Sequence, residues 1–218
     1  MYPVFNAPVF SVVDTPFGFE NVAPKAMFNA FEGQIDTGKM MVSLIQKATE
    51  EGVLIVNNAP VDSISENDTT PVLTIHNTPV SAKKICIATN GFAQQLLQEN
   101  VTPARAQVLV TKPIKNLAVK GTFHLDCGYY YFRNIDDRIL FGGGRNLDFK
   151  TENTSEAGLT SIVQDHLEKL LRETILPKTP FQIDSRWSGI MGVGNQKKPI
   201  VKQMHPKVYC GVRLGGMG

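Results

Sequence analysis

Four stretches of this 218-residue chain carry residue types that can do chemistry. The first is Arg213, immediately before Leu214-Gly215-Gly216-Met217-Gly218. A guanidinium offers two parallel N–H donors to a carboxylate. A strand running into a glycine-rich turn ordinarily feeds a helix N-terminus that receives a phosphate or an electron-rich ring. A strand arginine also snorkels to solvent, and both roles are open at this point. The second stretch is Tyr129-Tyr130-Tyr131-Phe132-Arg133. Strand alternation puts Tyr129, Tyr131 and Arg133 on one face and Tyr130 and Phe132 on the other, and the plain reading is aromatic sheet packing. The third is Ala88-Thr89-Asn90-Gly91, where small residues let a ligand approach the backbone; a simple strand-to-helix loop explains it equally. The fourth, Gly142-Gly143-Gly144-Arg145, follows a strand, but no helix with Lys-Ser or Lys-Thr comes after it. It is therefore a bulged strand end with Arg145 near the site, not a phosphate-binding P-loop.

Other chemistries are excluded. His76, His124, His166 and His205 have no metal-ligand spacing, so no metal is assigned. Cys86, Cys127 and Cys210 are odd in number and far apart, which indicates reduced thiols of a cytoplasmic protein rather than a disulfide framework. With 22 basic against 20 acidic residues, the charge is too even to imply nucleic acid or a membrane surface as partner. No apolar run approaches the roughly 18 residues of a membrane span.

The elements that must hold these residues follow from periodicity. Residues 1–32 show no sustained period and read as an irregular or partly helical lead-in. Met41, Leu44, Ile45 and Ala48 share a face of a helix over Asp36–Glu51, with Gly52 where a helix-ending glycine belongs. Val53–Val56 reads as a short buried strand, which with the preceding helix and Gly52 makes half of a βαβ crossover. Val61–Ser65, Val72–His76 and Val80–Lys84 form a meander leading into a buried strand at Lys84–Gly91. From Ala104 longer β segments take over: Ala106–Thr111, a Gly128–Arg133/Arg138–Gly142 hairpin, Phe181–Trp187, Pro199–Lys202 and Val208–Leu214. A helix starting at Thr154 or Ser155 runs to Ile175, where Pro177 stops it. The fold class is α+β: a mixed, largely antiparallel sheet with one covering helix, plus an incomplete α/β part.

Gly33-Gln34-Ile35-Asp36-Thr37 before a helix, Ala88-Thr89-Asn90-Gly91-Phe92 at a strand end, Trp187-Ser188-Gly189-Ile190-Met191-Gly192 through Pro199, and the closing Gly211–Gly218 loop occur in one order and spacing. Together, over about residues 30–218, they resemble the FAD-dependent amine and amino-acid oxidases of the D-amino-acid oxidase, glycine oxidase and sarcosine oxidase group. The resemblance implies a partial FAD-binding domain at 33–97, a substrate-binding sheet domain at 98–198, and a return strand to the FAD domain at 199–218. It implies non-covalent FAD, because no cysteine stands where some sarcosine oxidase relatives attach flavin. Cofactor contacts would come from Val61, Ala88, Thr89, Gly91, Gly189, Gly215, Gly216, Met217 and Gly218. Tyr129, Tyr131 and Arg133 would wall the substrate cavity, and Arg213 would face the substrate. Met191 stands where amino-acid-oxidising members often carry a second arginine, which turns attention to other amine substrates.

The family's G-x-G-x-x-G unit, which holds most of the FAD contacts, has no counterpart in these residues. The chain is therefore expected to be the substrate-binding half of a larger flavoprotein, inactive and free of FAD by itself. In the intact protein it would oxidise a C–N bond of a small amine or amino acid by hydride transfer to flavin. The alternative is a stand-alone, non-catalytic α+β binding module on the same scaffold. Substrate identity, electron acceptor and oligomeric state are not legible.

Overall fold

A computed structural model describes residues 5–65 and 70–216. The strands are β1 (Phe10–Asp14), β2 (Lys25–Asn29), β3 (Val61–Ser65), β4 (Val72–Ile75), β5 (Thr78–Ser81), β6 (Ile85–Ile87), β7 (Thr102–Thr111), β8 (Thr122–Leu125), β9 (Tyr130–Ile135), β10 (Arg138–Gly143), β11 (Ile183–Val193), β12 (Ile200–His205) and β13 (Val208–Val212). The α-helices are α1 (Thr37–Glu50), α2 (Phe149–Glu152) and α3 (Ser161–Leu170). No helix among the described residues is long and apolar enough to cross a membrane.

Two compact units interleave along the chain. One comprises Met1–Asp36, Gln107–Asp148 and Gly158–Ser188; the other comprises Thr37–Ala106, Phe149–Ala157 and Gly189–Gly218. The first is built on a five-stranded sheet of order β11-β7-β10-β9-β8, in which β10 pairs antiparallel with β7 and β9, and β8 with β9. Alternation decides its faces. Tyr130, Phe132, Ile139, Phe141 and Leu109 point into one core, where Val163 and Leu167 of α3 meet them. Each such buried side chain contributes roughly 1.5–3 kcal/mol. The covering helix is shorter than its periodicity predicts. Residues 154–160 stay outside it, and Gln107 at the sheet end accepts the Thr160 amide and donates to the Thr160 hydroxyl. After Leu170 the helix widens into a π-turn over Leu171–Ile175. The lead-in is not irregular: β1 and β2 form an antiparallel hairpin, Phe10 opposite Asn29.

The second unit holds two three-stranded sheets, β3-β4-β5 and β12-β13-β6. His76 and Asn77 both have positive φ and close the two-residue turn between β4 and β5, so β4 ends one residue before the His76 expected from sequence and β5 starts at Thr78 rather than Val80. In the second sheet β13 runs parallel to β6 and antiparallel to β12, over a core of Ile85, Ile87, Val208, Cys210 and Val212. Helix α1 forms as its periodicity predicts, but none of its residues is buried. The Val53–Val56 run is a correction: it forms no strand and all four residues are exposed. A strand exists only where a neighbour takes its hydrogen bonds, and no described strand pairs with this run.

Candidate functional site

The parallel pair fixes the geometry of one candidate site. The last register match between β6 and β13 is Cys210 opposite Ile87, and β13 runs on beside β12 to Val212, so Ala88–Gly91 and Arg213–Gly216 leave the sheet at the same carboxyl end, where open α/β sheets bind ligands. Leu214 donates its amide to Asn90 Oδ1 at 3.0 Å. Gly215 donates to the Gly192 carbonyl at 2.9 Å, which brings in the Gly189–Gly192 segment. A Cβ on Gly91 would lie 2.8 Å from the Met191 carbonyl oxygen, and one on Gly192 would lie 2.7 Å from Asn90 Oδ1. Glycine is required at both positions because the Gly91 and Gly192 segments approach each other closely, with backbone of Met191 and Asn90 and the Asn90 side chain in the way of any Cβ.

Arg213 adopts φ 60° and turns back. Its Nε donates to the Lys198 carbonyl at 3.0 Å and its Nη1 to the Asn100 carbonyl at 3.2 Å. Two of its five N–H donors thus brace the turn, and the rest of the fork stays available. Ala88 and Thr89 are exposed. Val61 belongs to the separate meander, opposite Ile75. Met217 and Gly218 lie outside the described residues.

Among the strand glycines Gly189 and Gly211 stand apart, although Gly33, between β2 and α1, has equally open surroundings. Neither strand glycine has a positive φ, and a Cβ at either would meet nothing within 4 Å among the described residues. Neither backbone conformation nor internal packing requires glycine there. The missing side chains leave room for a flat ligand such as a flavin to approach the backbone at both strands.

In the other unit Tyr131 and Arg133 lie on the sheet face turned away from α3, and Tyr129 precedes β9. Arg133 Nη1 donates to the Ile35 carbonyl at 2.6 Å. A Cβ on Gly142 would lie 2.7 Å from Tyr131 Oη. The phenol end is therefore the covered end, although 36% of the residue is exposed. That burial pushes the Tyr131 phenol above its usual range, so it stays a neutral hydrogen-bond donor at pH 7. Tyr130 packs inward on the opposite face, as alternation requires. Arg145 sits in a short 3-10 turn after Gly144, whose φ is 79°. No group of three histidine, cysteine or acidic side chains that could hold a metal occurs among the described residues.

Local reading named Asn90 only as part of the Ala88–Gly91 strand end and missed Asn100, because Leu214 lies 124 positions from Asn90, and Arg213 and Asn195 lie 113 and 95 positions from Asn100.

Comparison with known proteins converges on one group. A family model described as "DAO: FAD dependent oxidoreductase" matches residues 14–218. L-proline dehydrogenase from P. horikoshii superposes with a TM-score of 0.73 at 15% identity, covering 88% of this chain and 54% of that one. Glycine oxidase from Geobacillus kaustophilus gives 0.72 at 16% identity, covering 88% and 52%. L-amino acid deaminase from Proteus vulgaris gives 0.72 at 14%, covering 97% and 57%. The chain spans about half the length of these structures. No curated protein matches it.

Proposed function

The chain belongs to the FAD-dependent oxidoreductase family matched over residues 14–218, and we propose that it is the substrate-binding half, with part of the FAD-binding domain, of an enzyme that oxidises a C–N bond of a small amine or amino acid. The observation that carries this reading is the pair of glycines, Gly189 and Gly211, that the chain's own packing leaves unexplained. Exposure supports the fragment reading. The apolar face of α1 (Met41, Leu44 and Ile45) and the Val53–Val56 run are uncovered, the surface a dinucleotide-binding βαβ unit would cover.

FAD, when bound, supplies the hydride acceptor. The residues proposed to hold it are Ala88, Thr89, Gly91, Gly189, Gly211, Gly215 and Gly216, together with Val61; Met217 and Gly218, also expected from the sequence, lie outside the described residues. Tyr129, Tyr131 and Arg133 are proposed to wall a substrate cavity of their own unit. For Arg213 the proposed role is to offer its remaining N–H donors to a carboxylate.

Gly189→Ala and Gly211→Ala test the cofactor face in the full-length flavoprotein. Both are expected to leave the melting temperature of the flavin-free protein within error, because each methyl enters open space among the described residues. FAD affinity is expected to fall by roughly tenfold or more, since overpacking costs about 1–3 kcal/mol. Unchanged FAD affinity in both variants would refute the assignment.

Arg213→Ala in the same protein is expected to weaken apparent substrate affinity by about one to two orders of magnitude, the worth of a charge-assisted hydrogen-bonded pair. Arg213→Lys should recover little, because it keeps the charge and loses the fork. Steady-state kinetics and flavin content separate the roles. Lost flavin with unaltered substrate affinity would assign Arg213 to the cofactor turn alone.

A further inference from the structure

The parallel strands β6 and β13 bring two chain exits to one end of the sheet, but the pairing between these two strands stops at Cys210–Ile87, although β13 stays paired with β12 to Val212. Beyond it something else must set the spacing between Ala88–Gly91 and Arg213–Gly216. Asn90 lies three residues past Ile87 and Leu214 four past Cys210. The Asn90 carboxamide oxygen accepts the Leu214 amide at 3.0 Å, across 124 positions of sequence.

We propose that Asn90 is the positioning residue of the cofactor face, its side-chain oxygen fixing the closing glycine turn in register with the β6 exit. This inference rests on the flavin reading above. Three features single out the residue. Asn90 has φ 42°, a conformation that asparagine and glycine accept and most other residues do not. Gly192 lies so close to Asn90 Oδ1 that a Cβ would sit 2.7 Å from it, so the carboxamide stands where all three segments meet. The Gly192 carbonyl then takes the next amide of the turn, that of Gly215, at 2.9 Å. One side chain and one facing carbonyl thus hold two successive amides. Arg213, directly before them, anchors the turn from its other side through Lys198 and Asn100. Glycine 215, with φ 65°, would otherwise leave the turn free to sample many conformations.

Two substitutions separate the acceptor from the backbone requirement. Asn90→Gly keeps the left-handed backbone and removes the acceptor; Asn90→Asp keeps an oxygen acceptor at the same reach. Hydrogen–deuterium exchange on the 218-residue chain reads the Leu214 and Gly215 amides directly. Exchange is expected to accelerate about tenfold in Asn90→Gly, the factor carried by one hydrogen bond of ordinary strength, and to stay within about twofold of wild type in Asn90→Asp. In the full-length flavoprotein, FAD dissociation followed by flavin fluorescence should weaken in Asn90→Gly and be restored in Asn90→Asp. Unchanged exchange in Asn90→Gly would overturn the proposal whatever the flavin does. Faster exchange with unaltered FAD affinity would overturn it too, leaving Asn90 a structural tie and the flavin reading intact. A wild-type full-length protein that takes up no flavin would overturn both readings, an outcome distinguished by its appearance before any substitution is made.

Discussion

Glu152→Ala is expected to cost about 3–5 kcal/mol of folding stability, the usual penalty for stranding one member of a buried ion pair. Glu152 Oε2 and Oε1 accept Arg105 Nε and Nη2 at 2.9 and 3.0 Å, and the two side chains are 0% and 10% exposed. The Glu152 hydrogen bond holds the Arg105 pKa above its usual value against the opposing pull of desolvation. Arg105 therefore stays charged at any pH at which the protein folds. Removing Glu152 leaves that charge on a side chain only 10% exposed, with Glu156 as a more distant counter-charge, and frees the end of α2 from β7. Against a typical total stability of about 5–15 kcal/mol, the loss should be plain in a urea midpoint. Arg105→Met combined with Glu152→Leu should recover most of it, because well-packed apolar replacements remove both charges together. A Glu152→Ala protein within about 1 kcal/mol of wild type would show that water reaches the pair.

Gly143→Ala should be nearly as damaging, for a backbone reason. Gly143 has φ 120°, and a Cβ there would lie 2.1 Å from the Tyr129 carbonyl oxygen and 2.8 Å from Tyr130 Cα. Both atoms belong to the main chain, so no rotamer change relieves the clash. The cost is expected to reach at least about 3 kcal/mol, the upper end for a strained backbone residue. The consequence reaches the candidate site, because Gly144 donates its amide to the same Tyr129 carbonyl at 3.1 Å. Displacing that carbonyl would shift the start of β9 and with it Tyr131. Gly189→Ala serves as the control, since its methyl meets nothing in the protein. If Gly143→Ala melts with wild-type cooperativity at the wild-type temperature, the close approach is wrong.

The sequence by itself determined whatever depends on neighbours a few residues apart. The 3.6-residue spacing of Met41, Leu44 and Ile45 specified α1. Alternation along Tyr130–Ile135 sent Tyr130 and Phe132 inward and Tyr131 and Arg133 to the other face, and the ordered glycine-bearing segments pointed to the flavoenzyme family. Tertiary structure decided what depends on distant partners. Val53–Val56 has the composition of a buried strand, yet strand formation needs another strand's hydrogen bonds, and no local pattern says whether one is present. The N-terminal stretch lacked periodicity but paired into β1 and β2, because cross-strand pairing is specified by register between segments. The closing turn is the clearest case. Arg213 and the glycines were legible as residue types, but the tie from Asn90 to Leu214 and the engagement of Arg213 by Lys198 and Asn100 join positions that only the parallel pairing of β6 and β13 brings within hydrogen-bond reach.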